Sequence, residues 1–257
     1  MQGKGPLVPL ERLVDIMRRL RDPRTGCEWD NVQTFATIAP YTIEEAYEVA
    51  DAIARDDMDG LVDELGDLQL QVVFHAQIAE DAGLFTLDEI VTRICDKMER
   101  RHPHIFGDAS DGGHHLWEAI KAEERAESPD KSALAGVALA LPALERAAKL
   151  QRRAARTGFD WPDASGPRAK IDEELAELEA ETEHPRMLDE MGDLLFAVVN
   201  LARHLNIEPE AALREANRKF ERRFRTIERT PGFAGLSLDE KEELWSAAKK
   251  AQADSSA

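Results

Sequence analysis

The chain has 257 residues, of which 43% are hydrophobic, and this is enough for one or two domains with cores of their own. Its formal net charge of −18 argues against a surface built for nucleic acid, because that affinity comes from Lys and Arg meeting phosphates. Its two cysteines form no CxxC pair, which argues against a zinc ribbon, and no apolar run is long enough to span a bilayer. We therefore expect a cytoplasmic protein that binds neither nucleic acid nor membrane.

The first predicted element is an amphipathic helix that ends at Asp22-Pro23. Its apolar stripe consists of Leu10, Leu13, Val14, Met17 and Leu20. The following stretch, residues 23–40, contains two prolines and a glycine and is predicted to be a loop.

Three further helices are predicted in the first half. Thr42, with Glu45 three residues later, has the pattern of a capping box and predicts a helix over residues 43–55. The next helix is expected over residues 58–82, before Gly83, and the third over residues 87–101, with Thr86 as its cap and Pro103 after its end.

Helical periodicity continues through the second half and strand signals are scarce, so the predicted fold class is all-α. A glycine-rich segment at 107–114 and a charged, Ala-rich segment broken near Pro129 separate the two halves. We therefore predict a first module over residues 1–110, a linker over 111–132 and a second module over 133–257.

Three short patterns recur in the same order in both halves, which indicates tandem duplicated helical-bundle modules. The first two patterns recur at offsets of 129 and 126 residues. They are EExxE at 44–48 and 173–177, ExGD at 64–67 and 190–193, and KxERR at 97–101 and 219–223.

The repeated acidic residues have a spacing that suits a metal site. Glu174 and Glu177 share one helical face, and Glu190 and Asp193 have the same spacing on the next helix. Four converging carboxylates repel one another, and a hard divalent cation such as Mg²⁺, or Mn²⁺ in its place, relieves that repulsion. A solvated acidic face is the alternative. The equivalent residues of the first module form a second candidate metal site: Glu45, Glu48, Glu64 and Asp67.

Two features near these acids have both a functional and a structural interpretation. Gly192 lies within a predicted helix, where Gly costs about 1 kcal/mol relative to Ala, and Gly66 occupies the same place in the first module. Either close helix packing or the approach of a ligand would explain them. Lys219 and Arg223 share a helical face on which they could neutralise phosphates, or they could form a charged surface stripe.

The longer blocks of sequence resemble the MazG family of all-α nucleoside triphosphate pyrophosphohydrolases, and specifically its two-module bacterial type. These blocks are GCEWDNVQTFATIAPYTIEEAYEV, DELGDLQLQVVFHAQIA, ERRHPHIF, GFDW, DEMGDLLFAVVNLARHL and NRKFERRF. The resemblance extends from about Leu10 to Ala248. It implies magnesium-dependent hydrolysis of ribo- and deoxyribonucleoside triphosphates to nucleoside monophosphate and pyrophosphate. It also implies a homodimer that maintains nucleotide pools.

The same resemblance assigns roles in the second module, where catalysis is expected. It implies that Glu174, Glu177, Glu190 and Asp193 are magnesium ligands. We expect one carboxylate, Glu173 or Glu174, to act as the general base, and the sequence does not choose between them. The nucleotide contacts that it implies are Lys170, Arg186, Lys219, Arg223 and Trp245. Trp245 would stack on the base or, alternatively, only pack its own helix. Arg186 stands where the family has Lys, and Asp189 stands where it has Glu, which affects the expected substrate preference.

Two other functions remain as alternatives. A non-catalytic acidic scaffold or regulatory partner would need no active site. A di-iron bundle would need ExxH motifs inside helices, whereas Glu99-x-x-His102 and Glu181-x-x-His184 each precede a proline and are expected at helix ends. The cluster of His102, His104, His114 and His115 is interpreted as part of a loop.

Overall fold

The computed structural model describes residues 8–107 and 130–254, and all regular structure within these ranges is helical. The predicted all-α class is confirmed. The chain divides into two compact units, unit 1 within residues 1–123 and unit 2 within residues 124–257. The expected linker at 111–132, with its break near Pro129, lies almost wholly outside the described residues. The module limits therefore remain a prediction.

Unit 1 is organised around a pair of long helices. Its helices are α1 (Pro9–Leu20), α2 (Glu28–Asn31), α3 (Phe35–Ala54), α4 (Met58–Asp81), α5 (Leu87–Arg101) and α6 (Pro103–Phe106). A three-residue connection folds α3 back along α4, and α1 packs against α4. The buried core residues are Met17, Ile38, Val73, Phe74 and Ile78.

Helix α3 begins eight residues earlier than predicted, so the loop predicted at 23–40 is wrong over α2 and the start of α3. Thr34 is the N-cap, and its side chain accepts the backbone N–H three residues later. Pro40 lies inside the helix, where its missing N–H removes one hydrogen bond. Burial of Ile38 beside it offsets that loss. Thr42 caps nothing, and its hydroxyl lies 3.1 Å from Nε2 of His75.

The remaining helix predictions of unit 1 are confirmed to within one residue. Helix α4 ends at Asp81, two residues before Gly83, whose φ of +66° favours glycine. Helix α5 covers the predicted residues, and Thr86 and Glu89 form a reciprocal capping box at its start. Local capping chemistry therefore defines these ends.

Unit 2 repeats the same pair of long helices. Its helices are α7 (Ala143–Ala155), α8 (Ser165–Ala180), α9 (His184–His204), α10 (Pro209–Ile227) and α11 (Leu238–Asp254), with a 3₁₀ turn at Phe233–Gly235. Helix α8 folds back along α9 as α3 does along α4, α7 packs against α9 and α10, and α11 packs against α10. The duplicated acids therefore lie on equivalent helix pairs. None of the described helices has the length and apolarity needed to cross a membrane.

Candidate metal centre and adjoining cavity

Three carboxylates of unit 2 meet between α8 and α9. Glu174, Glu177 and Glu190 each place one oxygen within 4.8 Å of the others. The i, i+3 spacing puts the first two on one face of α8, and the packing of α9 along α8 brings the third to them. Asp193 is not part of this trio, although it lines the cavity next to Glu174.

The electrostatics of this trio reflect crowded negative charge. The pKa of Glu190 is raised above its ordinary value, first by loss of solvation and then by the negative charges of Glu177 and Glu174. Loss of water and like charges both disfavour ionisation. A divalent cation between these oxygens would remove the conflict.

Glu174 shows most directly that the donor set suits a hard cation. It is 3% exposed, and its Oε2 is buried without a hydrogen-bond partner. A buried carboxylate oxygen without a partner is costly. A divalent cation bound by Glu174, Glu177 and Glu190 would satisfy it, because Mg²⁺ selects carboxylate oxygens.

Lys170 is the cation that contacts this cluster. Its Nζ lies 2.5 Å from Oε1 of Glu174 and 2.8 Å from Oε1 of Glu173, one helical turn away on α8. These two carboxylates raise the pKa of Lys170 well above its ordinary value, so it is charged at neutral pH. Glu173 itself is exposed and lies outside the carboxylate trio.

Unit 1 has an equivalent carboxylate trio. Glu45, Glu48 and Glu64 also place one oxygen each within 4.8 Å of the others. Loss of solvation, followed by neighbouring negative charge, raises the pKa of Glu45 and of Glu64. Here Nε2 of Gln71 donates to Glu45 at 3.3 Å. Asp67, like Asp193, is not part of its trio.

A cavity of about 690 Å³ adjoins the acidic cluster of unit 2. Its volume is within the range of small-molecule sites. Its lining includes Glu174, Asp193 and Lys170, and much of the remaining lining is apolar or aromatic. The cavity is also lined by Gln151, Phe159, Asp160, Trp161, Asn200 and Arg203.

A hydrogen-bonded network forms the polar wall of this cavity. Nη1 of Arg203 donates to Asp160 at 2.9 Å, and Nε2 of His204 lies 3.1 Å from the same carboxylate. The hydrogen bonds from Arg203 hold the pKa of Asp160 below its ordinary value. Arg203 also donates from Nε to Oδ1 of Asn200 at 3.1 Å, so the network orients Asn200.

Phe159 and Trp161 form the aromatic wall of the cavity, and the backbone around them fixes its position. Gly158 turns the chain after α7 with a φ of +85°, a conformation that favours glycine. Trp161 then lies against Gly166 in the first turn of α8, where an added Cβ would be 2.2 Å from Cδ1 of the indole. Only glycine at 166 leaves room for the indole in this position.

Only one of the five expected nucleotide contacts lies at the cavity. Lys170 lines the cavity, whereas the other four are not among its lining residues. Arg186 is exposed and lies 3.5 Å from Glu181, and Lys219 is exposed on α10. The guanidinium of Arg223 lies 5.7 Å from the ring of Trp245, which also packs against Phe220 at 5.2 Å between centroids. Within unit 2, Trp245 therefore packs α11 onto α10.

The aromatic wall was not predicted from the sequence, although a fourth repeated pattern marks it. Gly158-Phe-Asp-Trp161 matches Gly26-Cys-Glu-Trp29 at an offset of 132 residues. In unit 1 the ring of Trp29 lies 6.3 Å from that of Phe74 and 6.2 Å from that of Tyr41. The same pattern therefore lines a cavity in unit 2 and packs against aromatic side chains in unit 1.

The structure bears on two open points of the sequence, the role of the helical glycines and the position of the two ExxH motifs. A Cβ at Gly66 or Gly192 would meet nothing within 4 Å among the described residues, so close packing of helices within either unit is the wrong explanation for these glycines. His102 is the C-cap of α5 and His184 is the first residue of α9, which confirms that neither ExxH motif lies inside a bundle. His114 and His115 lie outside the described residues.

Comparison with known proteins gives consistent matches. The profile of the MazG nucleotide pyrophosphohydrolase domain matches residues 33–106 and 170–227. The chain is 50% identical to a nucleoside triphosphate pyrophosphohydrolase of Escherichia coli, over 95% of this chain and 98% of that protein. It is 46% identical to the nucleoside triphosphate pyrophosphohydrolase/pyrophosphatase MazG of Thermotoga maritima, over 93% and 95% of the two chains. The two matched segments include both acidic clusters.

Proposed function

This chain belongs to the MazG family of nucleotide pyrophosphohydrolases, and from that premise we propose that unit 2 hydrolyses ribo- and deoxyribonucleoside triphosphates with magnesium and broad base specificity. The chain is a hydrolase, so the alternative of a non-catalytic scaffold no longer applies to the whole protein. The products would be nucleoside monophosphate and pyrophosphate, in keeping with a role in nucleotide-pool housekeeping.

One observation carries the proposal: the unpaired, buried Oε2 of Glu174 belongs to a carboxylate trio at the side of a cavity. Glu174, Glu177 and Glu190 would hold the magnesium, with Asp193 completing the set from the cavity wall. When bound, the cation would supply positive charge that offsets the negative charge of these carboxylates and of the substrate's phosphates.

The chain's own residues then have distinct tasks. Lys170 would contact the phosphates and neutralise their charge. Glu174 would be engaged by the expected cation, whereas Glu173 lies outside the carboxylate trio, so we propose Glu173 as the general base that accepts the proton of the attacking water. The water oxygen bonds to the α-phosphorus, the bond from that phosphorus to the bridging oxygen breaks, and pyrophosphate leaves. We propose that Arg186, Lys219 and Arg223 contact the polyphosphate from outside the cavity.

Ion-exchange analysis of the products from ATP and dTTP, with and without magnesium, tests the proposal. We expect nucleoside monophosphate and pyrophosphate from both substrates and only with magnesium. Nucleoside diphosphate and phosphate would overturn the cleavage position. Equal rates after chelation would overturn the metal requirement, and cleavage of only one substrate would overturn broad specificity.

We also propose a cytoplasmic homodimer. Four exposed apolar side chains lie at helical spacing on α9, namely Leu188, Met191, Leu195 and Val198. A partly equivalent stripe on α4 consists of Val62, Leu65 and Val72. Sedimentation equilibrium should give twice the chain mass of 28.7 kDa, and the chain mass alone would contradict the dimer.

A further inference from the structure

We propose that unit 1 binds a divalent cation larger than Mg²⁺, of the size of Ca²⁺, and binds it without a nucleotide. The ligands are the three carboxylates of its acidic cluster, Glu45, Glu48 and Glu64, together with the side-chain carbonyl of Gln71. This inference does not rest on the proposed function, because that function is assigned to unit 2 and no reaction is assigned to this site. It gives the acidic cluster of unit 1 a role of its own.

Gln71 is the residue that distinguishes this cluster from a solvated acidic face. It lies on α4 and is only 7% exposed. Its Nε2 donates to Oε1 of Glu45 at 3.3 Å, so its amide group lies against the cluster. Its Oε1 is buried and has no hydrogen-bond partner among the described residues. A buried carbonyl oxygen without a partner is costly, and coordination of a cation would recover that cost.

The equivalent positions of unit 2 carry a different pair of side chains. At the offset of 126 residues, Gln71 corresponds to Ala197, which has no polar side-chain atom. At the offset of 129 residues, Tyr41 corresponds to Lys170, whose ammonium contacts Glu174 in unit 2. Unit 1 has therefore exchanged a positive charge that suits a phosphate for a neutral oxygen that suits a cation.

Aromatic packing in unit 1 takes the place of the cavity that unit 2 has beside its acidic cluster. Phe74 is 4% exposed and belongs to the core. The ring of Trp29 lies 6.3 Å from that of Phe74 and 6.2 Å from that of Tyr41. The tryptophan of the same GxxW pattern lines the cavity in unit 2. A cation in unit 1 is therefore expected to take its oxygens from the protein and from water, and not from a substrate phosphate.

A ligand set without a phosphate suits Ca²⁺ better than Mg²⁺. Mg²⁺ demands a near-ideal octahedron, keeps several waters, and is usually held by one or two carboxylates together with substrate phosphates. Ca²⁺ takes about six to eight oxygens in a flexible arrangement, from carboxylates that bind through one or both oxygens and from Gln carbonyls. The three carboxylates and one amide carbonyl of unit 1 are donors of this kind.

Titration calorimetry of the full chain with Ca²⁺ alone and with Mg²⁺ alone, in the absence of nucleotide, tests this assignment. The chain carries Glu190→Gln and Asp193→Asn, so that the acidic cluster of unit 2 is disabled. We expect about one Ca²⁺ per chain, with a Kd at least about tenfold below that for Mg²⁺. Gln71→Met in this background should raise the Kd for Ca²⁺ about tenfold. Gln77→Met is the control, because this buried glutamine of unit 1 donates to Asp81 and is not part of the cluster.

Loss of a carboxylate locates the bound cation. Glu64→Gln in the same background should abolish the remaining Ca²⁺ binding. Glu48→Gln, at an exposed position, is the second ligand variant, and far-UV circular dichroism checks that both variants fold. Ca²⁺ should also raise the thermal unfolding temperature of the background chain and leave that of the Glu64→Gln variant unchanged, because only a bound ligand stabilises the folded state.

Three outcomes would overturn the assignment. Absence of Ca²⁺ binding in the chain with a disabled unit 2 would show that the cluster of unit 1 is a solvated acidic face. A Kd for Mg²⁺ equal to or below that for Ca²⁺ would contradict the preference for the larger cation. The same Kd for Ca²⁺ before and after Gln71→Met would remove Gln71 from the ligands. Each result leaves the proposed function of unit 2 untouched, because no step of the titration requires turnover.

Discussion

The helix pairs α3–α4 and α8–α9 carry the same acidic cluster, but their surroundings differ. At the repeat offset of 129 residues, the position of Lys170 is occupied in unit 1 by Tyr41. At the offset of 126 residues, the position of Arg186 is occupied by Gly60. Unit 1 therefore keeps the carboxylates and lacks two of the cations that would face a polyphosphate.

The residues that line the cavity of unit 2 also differ from the equivalent residues of unit 1. At the offset of 126 residues, Asn200 corresponds to Phe74 and Arg203 to Gln77. Phe74 belongs to the core of unit 1 and packs against Trp29, whereas Asn200 lines an open cavity. An acidic cluster alone therefore does not distinguish a candidate active site, because its neighbours decide what it can bind.

The largest expected effect comes from the acids themselves. Glu190→Gln and Asp193→Asn should each reduce pyrophosphate release by about 10³-fold or more, because each removes a charge that would hold the cation. The matched changes Glu64→Gln and Asp67→Asn should leave at least half of the activity. Far-UV circular dichroism checks that the helices remain. Full activity in the unit 2 variants would move the active site to unit 1.

The cation beside the cluster should have the next largest effect. Lys170→Met should lower kcat/KM about hundredfold, because it removes the positive charge that contacts the cluster and the expected phosphates. Tyr41→Phe, at the equivalent position of unit 1, should change kcat/KM less than twofold. Equal rates for wild type and Lys170→Met would show that the cations outside the cavity suffice.

The network of the cavity wall predicts a pH-dependent stability. Asp160→Asn should lower the free energy of unfolding by about 1 kcal/mol at pH 7, because it leaves Arg203 without its charged partner at an exposed site that solvent screens. The folded pKa of Asp160 lies below the ordinary value of 3.8. Its stabilisation is therefore present above that value and is lost as pH falls through the folded pKa.

Urea unfolding of wild type and Asp160→Asn should accordingly converge below about pH 4. Glu28→Gln is the matched control, since Glu28 occupies the equivalent place in the GxxW pattern of unit 1 and is exposed. It should change stability by less than about 0.5 kcal/mol. A constant difference between wild type and Asp160→Asn from pH 7 to pH 3 would show that the loss is not electrostatic.

The smallest expected effect concerns the two helical glycines. Gly66→Ala and Gly192→Ala should each stabilise the folded chain by about 0.5–1 kcal/mol, because Ala is the better helix former and its Cβ meets no other atom within its own unit. Thermal unfolding measures this gain. If a ligand approaches only in unit 2, Gly192→Ala alone will also lower activity. Equal activities would show that both glycines are dispensable for turnover.

Local chemistry made part of this fold predictable. The ends of α4 and α5 follow from Gly83 and from the Thr86–Glu89 box, which act within a few residues. The start of α3 was not predictable from Thr42, because burial of Ile38 favours a helix that contains Pro40. Here tertiary packing overrides a local signal.

The same distinction applies to the candidate site. Helical spacing and the repeat predicted that the carboxylates would converge, and three in each unit do so. The cavity depends on contacts between residues far apart in sequence, such as Arg203 with Asp160 and Gln151 with Phe196. No local pattern encodes such pairs, although the repeated GxxW motif marked one of their walls.

The contact of Trp161 with Gly166 has a consequence for how this protein can evolve. Because any side chain at 166 would overlap the indole, Gly166 cannot be replaced while Trp161 keeps its place. Loss of the tryptophan would have to precede or accompany any substitution of the glycine. Among natural homologues, positions 161 and 166 should therefore covary, with tryptophan at the first accompanied by glycine at the second.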